Sequence, residues 1–222
     1  MSIDQGLRDG VAQLDLALSE ENLQKISAYA TLLQKWNKTY NLTAVRDAEG
    51  ILALHLLDSL AVLPHLNPGQ GRLLDIGSGG GLPGIPLAIM RPDLAVTLLD
   101  SNSKKSAFQQ QAVIELGLRN VTVVNARVEA FKPAQAFEQI ISRAFSELAD
   151  FITLSRPLLT EGGRWLAMKG VLPQEEMARL PEGVTVRDAV RLAVPGVDAE
   201  RHLIVLTRSS NSSNSTASQQ GA

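Results

Sequence analysis

Leu7, Val11, Leu14 and Leu18 recur at helical spacing, and after a polar break at Ser19 the series Leu23, Ile26, Ala30, Leu33 carries the same period to Trp36. Spacing of this kind stacks apolar side chains into one stripe. It predicts helices, the second capped by Ser19, whose hydroxyl can accept from an unpaired N–H of the first turn. Asp47 predicts the cap of a further helix through Ile51, Leu54 and Leu57. The breaker cluster Pro68-Gly69-Gln70-Gly71 then ends the helical pattern. Beyond it the apolar positions form short continuous runs at 72–76, 96–99, 121–124, 139–142 and 164–168, separated by helical stretches near 84–91, 103–117, 146–157 and 173–180. Continuous apolar strands alternating with helices predict an α/β fold with a parallel sheet covered on both faces. The last two runs, 184–190 and 202–207, are joined by a loop without a clear helix and predict an antiparallel pair. The expected organisation is a helical N-terminal extension over 1–70, an α/β domain over 71–208 and a disordered tail over 209–222, where no large apolar residue occurs.

Composition narrows the chemistry. In 222 residues there is no cysteine, which excludes disulfides, thiolate-bound zinc, iron–sulfur clusters and cysteine nucleophiles. His55, His65 and His202 are far apart and show no metal-binding spacing, so no metal is expected. Lys and Arg number 21 against 23 Asp and Glu, for a net charge of −2, so any nucleic-acid binding has to come from a local basic patch. No apolar run reaches the roughly 20 residues of a membrane span, and the first residues carry no leader pattern. A cytoplasmic location is the expectation.

The strongest local signal is Asp75-Ile76-Gly77-Ser78-Gly79-Gly80-Gly81-Leu82-Pro83-Gly84, between a predicted strand and a predicted helix. Glycines here let a ligand approach the backbone near helix N-terminal amides. Two readings fit. Gly79-x-Gly81-x-x-Gly84 matches the dinucleotide fingerprint, whereas Asp75-x-Gly77-x-Gly79-x-Gly81 matches the loop of S-adenosylmethionine (SAM) methyltransferases. An acid at the mouth of the loop would repel a pyrophosphate but not a sulfonium, which favours SAM. Asp100, ending the second strand, could accept from ribose hydroxyls in either case. The expected antiparallel final pair supports, by fold analogy, the class I SAM-dependent methyltransferase fold: Rossmann-like, with a seven-stranded, mostly parallel sheet ending in an antiparallel hairpin.

With no cysteine, methylation at pyrimidine carbon five and radical SAM chemistry are excluded, and no adjacent proline pair marks an exocyclic-amine methyltransferase. A ring nitrogen, a hydroxyl or a carboxylate remains as acceptor. The loop continuing into Ile85-Pro86, together with Leu99-Asp100-Ser101, Arg127-Val128-Glu129, Ile141-Ser142-Arg143-Ala144, Met168-Lys169-Gly170 and Glu200-Arg201-His202, resembles the RsmG (GidB) family of small-subunit ribosomal RNA guanine-N7 methyltransferases. Upstream, Trp36-Asn37-Lys38, Asn41-Leu42-Thr43 and 55–59 are similar to that family's helical N-terminal part. The resemblance covers roughly 20–207 and implies methylation of N7 of a guanine, position 527, in 16S ribosomal RNA. It implies that Gly77 and Leu82 contact SAM, that Val128 and Glu129 lie beside the adenine, and that Arg143 sits near cofactor and target as the catalytic residue. Asp75, Gly79, Gly81 and Asp100 complete the expected cofactor set, and Lys104, Lys105, Arg127, Lys169 and Arg201 form an expected basic rim for 16S rRNA or the small ribosomal subunit. A small-molecule SAM methyltransferase and a nicotinamide-dependent oxidoreductase are the competing readings.

Overall fold

The computed structural model describes residues 2–209 apart from 144. The chain opens with helices α1 (Ile3–Gln13) and α2 (Glu20–Tyr40). Ser19 caps α2 as expected, its hydroxyl accepting from the Asn22 N–H at 3.1 Å. The apolar series that predicts α1 runs on to Leu18, but the helix ends at Gln13, because Asp15 turns left-handed at φ 54° and breaks the hydrogen-bond ladder. Residues 48–60 form helix α3, capped by Asp47 through a 2.6 Å bond from the Gly50 N–H. Its middle, Ile51–Leu57, is wound as a π-helix.

The sheet follows, with strands β1 (Gly71–Ile76), β2 (Leu94–Asp100), β3 (Val121–Asn125), β4 (Phe137–Ser142), β5 (Leu159–Lys169), β6 (Val184–Arg191) and β7 (His202–Arg208) in the order β3-β2-β1-β4-β5-β7-β6. The first five strands are parallel; β7 runs antiparallel to both β5 and β6. This is the class I SAM-dependent methyltransferase architecture expected from the glycine loop and the antiparallel final pair. Because β1 pairs with both β2 and β4, the connections reverse direction there, and the crevice beyond the carboxyl ends of these strands is where open α/β sheets hold ligands.

Helices α1, α2, α3, α4 (Gly84–Met90) and α5 (Ser103–Glu115) cover one face. Leu7, Leu23, Ile26 and Leu33 from the first helices share a single buried cluster with Leu73 and Val96 of the sheet and Phe108 of α5. On the opposite face, α6 (Leu148–Ser155) and the short α7 (Gln174–Met177) pack over Ile140, Trp165 and Ile204. Coverage of this face by helices is incomplete, contrary to the sequence expectation. Between β3 and β4 the chain makes only a 3₁₀ turn at Val128–Ala130, so Ala95 and Thr122 remain exposed. The expected tail lies, from residue 210 on, outside the described residues. No helix among the described residues is long and apolar enough to cross a membrane.

Candidate active site

Two cavities flank the carboxyl ends of the central strands. The first, about 260 Å³, is lined by Gly77, Asp100, Ser101, Arg127, Val128 and Glu129 among others. The glycine loop reaches it through Gly77. Gly77, Gly79 and Gly81 have φ of 70°, 56° and 82°, where a side chain is strained. The Gly77 N–H donates to the Leu99 carbonyl at 2.8 Å, which ties the loop to the end of β2. Asp100 accepts from the Gly79 N–H through one oxygen and from the Asn102 N–H through the other, both at 2.8 Å, while lining the cavity.

Helices hold the loop from behind. Fully buried Tyr29 of α2 donates its hydroxyl proton to the Gly80 carbonyl at 2.5 Å, and burial pushes its phenol pKa well above the ordinary value. Gln109 of α5, also fully buried, donates to Ser78 Oγ at 2.9 Å and to the Gly79 carbonyl at 2.8 Å. Sequence reasoning missed both residues. Tyr29 falls between apolar positions of α2, and Gln109 neighbours Phe108 on a helix read only as cover; no local motif marks either.

Asp75 departs from the expectation. It does not line the cavity; its carboxylate is fully buried beneath the loop, where one oxygen accepts from the Gly84 N–H at 2.8 Å and the other has no hydrogen-bond partner among the described residues. Burial pushes its pKa up to about 7, against the pull of the Gly84 N–H and the Arg143 charge, with nearby Asp100 pushing the same way as burial. The electrostatic argument against a pyrophosphate therefore rests on Asp100 and Glu129, which do face the cavity. Gly81 and Leu82 shape the loop from outside that lining; a Cβ on Gly81 would collide with Ile85.

The second cavity, about 330 Å³, lies between α3, the end of β4, the end of β5 and the start of β7. Arg143 faces this one, not the first, and donates from Nη1 to the Leu54 carbonyl at 3.0 Å and to Asp58 Oδ2 at 3.1 Å. Phe145, two residues on, lines the first cavity. Asp58, almost wholly buried, has Arg201 Nε 3.2 Å from its other oxygen, so one carboxylate sits between two guanidinium groups. His55 is held through Nε2 by Thr43 Oγ1 at 2.7 Å and through Nδ1 by the Leu54 carbonyl at 2.9 Å, and burial lowers its pKa. Since the carbonyl can only accept, Nδ1 carries the proton.

The expected basic rim is divided. Arg127 lines the first cavity; Lys169 and Arg201 line the second. Lys169 is already engaged: its ammonium donates to both Glu176 carboxylate oxygens at 3.1 and 2.8 Å and to the Ser146 carbonyl at 2.6 Å, fastening the 145–148 segment to α7. It is a staple with little left to offer RNA. Lys104 and Lys105 lie in the first turn of α5, beside the Asp100 and Ser101 edge of the first cavity, and make no ion pair among the described residues. Trp36, packed edge-on to Phe108 at 5.6 Å, belongs to the core.

Known proteins match this geometry. A solved SAM-dependent methyltransferase from Aquifex aeolicus superposes at TM-score 0.59 with 16% identity, over 80% of this chain and 97% of that one. TrmN from Thermus thermophilus superposes at TM-score 0.55 with 22% identity over 68% of this chain, which spans 48% of TrmN. In sequence, the ribosomal RNA small subunit methyltransferase G of Chromobacterium violaceum is 57% identical over 198 residues, 89% of this chain and 94% of that protein. The family model for GidB, rRNA small subunit methyltransferase G, matches residues 22–204. With a glycine cradle, two flanking cavities and identity at this level over nearly its whole length, the chain belongs to the GidB family of small-subunit ribosomal RNA methyltransferases.

Proposed function

We infer that the protein transfers a methyl group from SAM to N7 of a guanine in 16S ribosomal RNA, working in the cytoplasm on the RNA or the small ribosomal subunit. The observation that carries this reading is the pair of cavities at the carboxyl ends of the strands, one lined by Gly77 of the glycine loop with Asp100 and Glu129, the other by Arg143 and Arg201. Gly77, Gly79, Gly81 and Leu82 shape the cradle for the cofactor, Asp100 is placed for its ribose, and Val128 and Glu129 are placed for its adenine. Asp75 acts from beneath, through Gly84. SAM held there would supply a methyl group on a cationic sulfur, a leaving group able to keep the electron pair when the guanine N7 lone pair takes the methyl. Guanine N7 is an unprotonated acceptor at neutral pH, so no general base is required. The chain's task is alignment and charge control. Arg143 and Arg201 face the acceptor from the second cavity, and Lys104, Lys105 and Arg127 meet phosphates. Residues 1–70 act as a helical extension that braces the 71–208 methyltransferase domain.

Cells lacking the gene, complemented with the wild type or with Arg143→Ala, test this. Chemical cleavage at 7-methylguanine in 16S rRNA should reappear with the wild type and stay at least tenfold weaker with the variant, although the variant is folded by circular dichroism. Full methylation without the gene would refute the reading.

A further inference from the structure

We propose that the second cavity seats the target base and that Arg201, anchored by Asp58, selects guanine over adenine by donating to O6. This rests on the methyl-transfer reading above. An unstacked or extruded target base needs a pocket to receive it, and a cavity of about 330 Å³ beside the cofactor cradle has room for one purine.

The polar groups of that wall are mostly engaged. His55 has both ring nitrogens bonded, and the Lys169 ammonium is held by Glu176 and backbone carbonyls. Arg143 uses Nη1 on Leu54 and Asp58. Arg201 uses Nη1 on its neighbour's carbonyl at 2.8 Å and lies with Nε beside Asp58, which leaves its Nη2 without a partner among the described residues. Arg201 therefore offers the cavity donors only, because a guanidinium has no acceptor; the acceptors in the lining are the Asp58 carboxylate, 2% exposed behind the two guanidinium groups, and His202 Nε2, across the ring from the Nδ1 that donates to the Gly170 carbonyl at 2.7 Å. Guanine presents O6, an acceptor, next to N7; adenine presents an amino group, a donor, at the same place. With N7 directed at the methyl group, Arg201 Nη2 can serve O6, while adenine would set donor against donor.

Asp58 is the positioning residue. It is 2% exposed, and among the described residues its Oδ1 has no hydrogen-bond partner of good geometry although Arg201 Nε lies 3.2 Å away. A buried carboxylate between two guanidinium groups is held by charge, and a small rotation of Arg201 onto a bound base would complete its hydrogen bond. The same carboxylate spaces Arg143 from Arg201, so that the two do not collapse on one ligand atom.

The competing ligand chemistry for Arg201 is a phosphate, and the two separate experimentally. Small subunits carrying guanine or adenine at the target position are offered to wild type, Arg201→Gln and Asp58→Asn, and rates are measured with SAM affinity followed by calorimetry. A base-reading Arg201 predicts a guanine-to-adenine rate ratio that falls about 10- to 100-fold in Arg201→Gln, with SAM affinity and the salt dependence of RNA binding unchanged. Asp58→Asn should lower the same ratio. Arg201→Lys, which keeps the charge but loses the planar fork, should fail to restore it. Equal weakening on both bases with a shallower salt dependence marks a phosphate contact and overturns the proposal, as does an unchanged ratio. Absence of any guanine methylation by the wild type would instead sink the methyl-transfer reading itself.

Discussion

At Gly77 the backbone turns to φ 70° at the edge of the first cavity, so a side chain there is strained in conformation and intrudes on the ligand space. Gly77→Val should abolish SAM binding measured by calorimetry while the protein stays folded. Asp75 makes a different prediction. Its carboxyl titrates near 7 in the folded chain against 3.8 as the reference value, so between these limits the folded state keeps a proton that the unfolded chain releases. Stability from this group is complete below about pH 4 and declines as pH rises to about 7. Asp75→Asn has no charge to bury, so its melting temperature should exceed the wild type's by several degrees at pH 8, with the gap closing towards pH 4. The glycine loop was legible in the sequence, because glycine is the residue that takes these angles without steric cost. The place of Asp75 was not: a motif fixes spacing along the chain, and facing the cavity or the helix below it is decided by packing.

Among the elements, α2 and α5 matter beyond their cover of the sheet, since Tyr29 and Gln109 hold the carbonyls and hydroxyl of the loop. Tyr29→Phe keeps the ring and leaves the Gly80 carbonyl buried without its partner, a loss of about 1–3 kcal/mol. Melting by calorimetry should fall by about 2–4 °C per kcal/mol lost, and SAM should bind more weakly than to the wild type. Helix periodicity exposed α1, α2 and α3 and both Ser19 and Asp47 caps, because apolar spacing and cap chemistry are local. It could not show the π-helix at Ile51–Leu57, since Leu54 and Leu57 fit the ordinary period as well as the wider one. That winding brings the Leu54 carbonyl and Asp58 to Arg143, 89 and 85 residues away.

Across the whole molecule, a net charge of −2 means that RNA affinity has to come from placement. Lys104 and Lys105, free of ion pairs among the described residues beside the cofactor cavity, are the strongest candidates, whereas Lys169 is committed to Glu176. Replacing both Lys104 and Lys105 by Glu should weaken binding to small subunits at least tenfold and flatten its salt dependence, with SAM affinity unchanged, as filter binding over a salt series would show. The parallel strands were readable from runs of apolar residues, as a parallel sheet buries both faces of its strands, and the antiparallel pair from the helix-free loop before the last strand; the strand order was not. The second cavity was not readable, because Asp58, Arg143, Lys169 and Arg201 meet only when four distant segments converge. The most direct measurement supplies purified protein and methyl-labelled SAM to small subunits from cells lacking the gene. The account predicts one label per subunit, on a guanine, released by cleavage specific to 7-methylguanine; label on another atom or base, or none in the RNA, would contradict it.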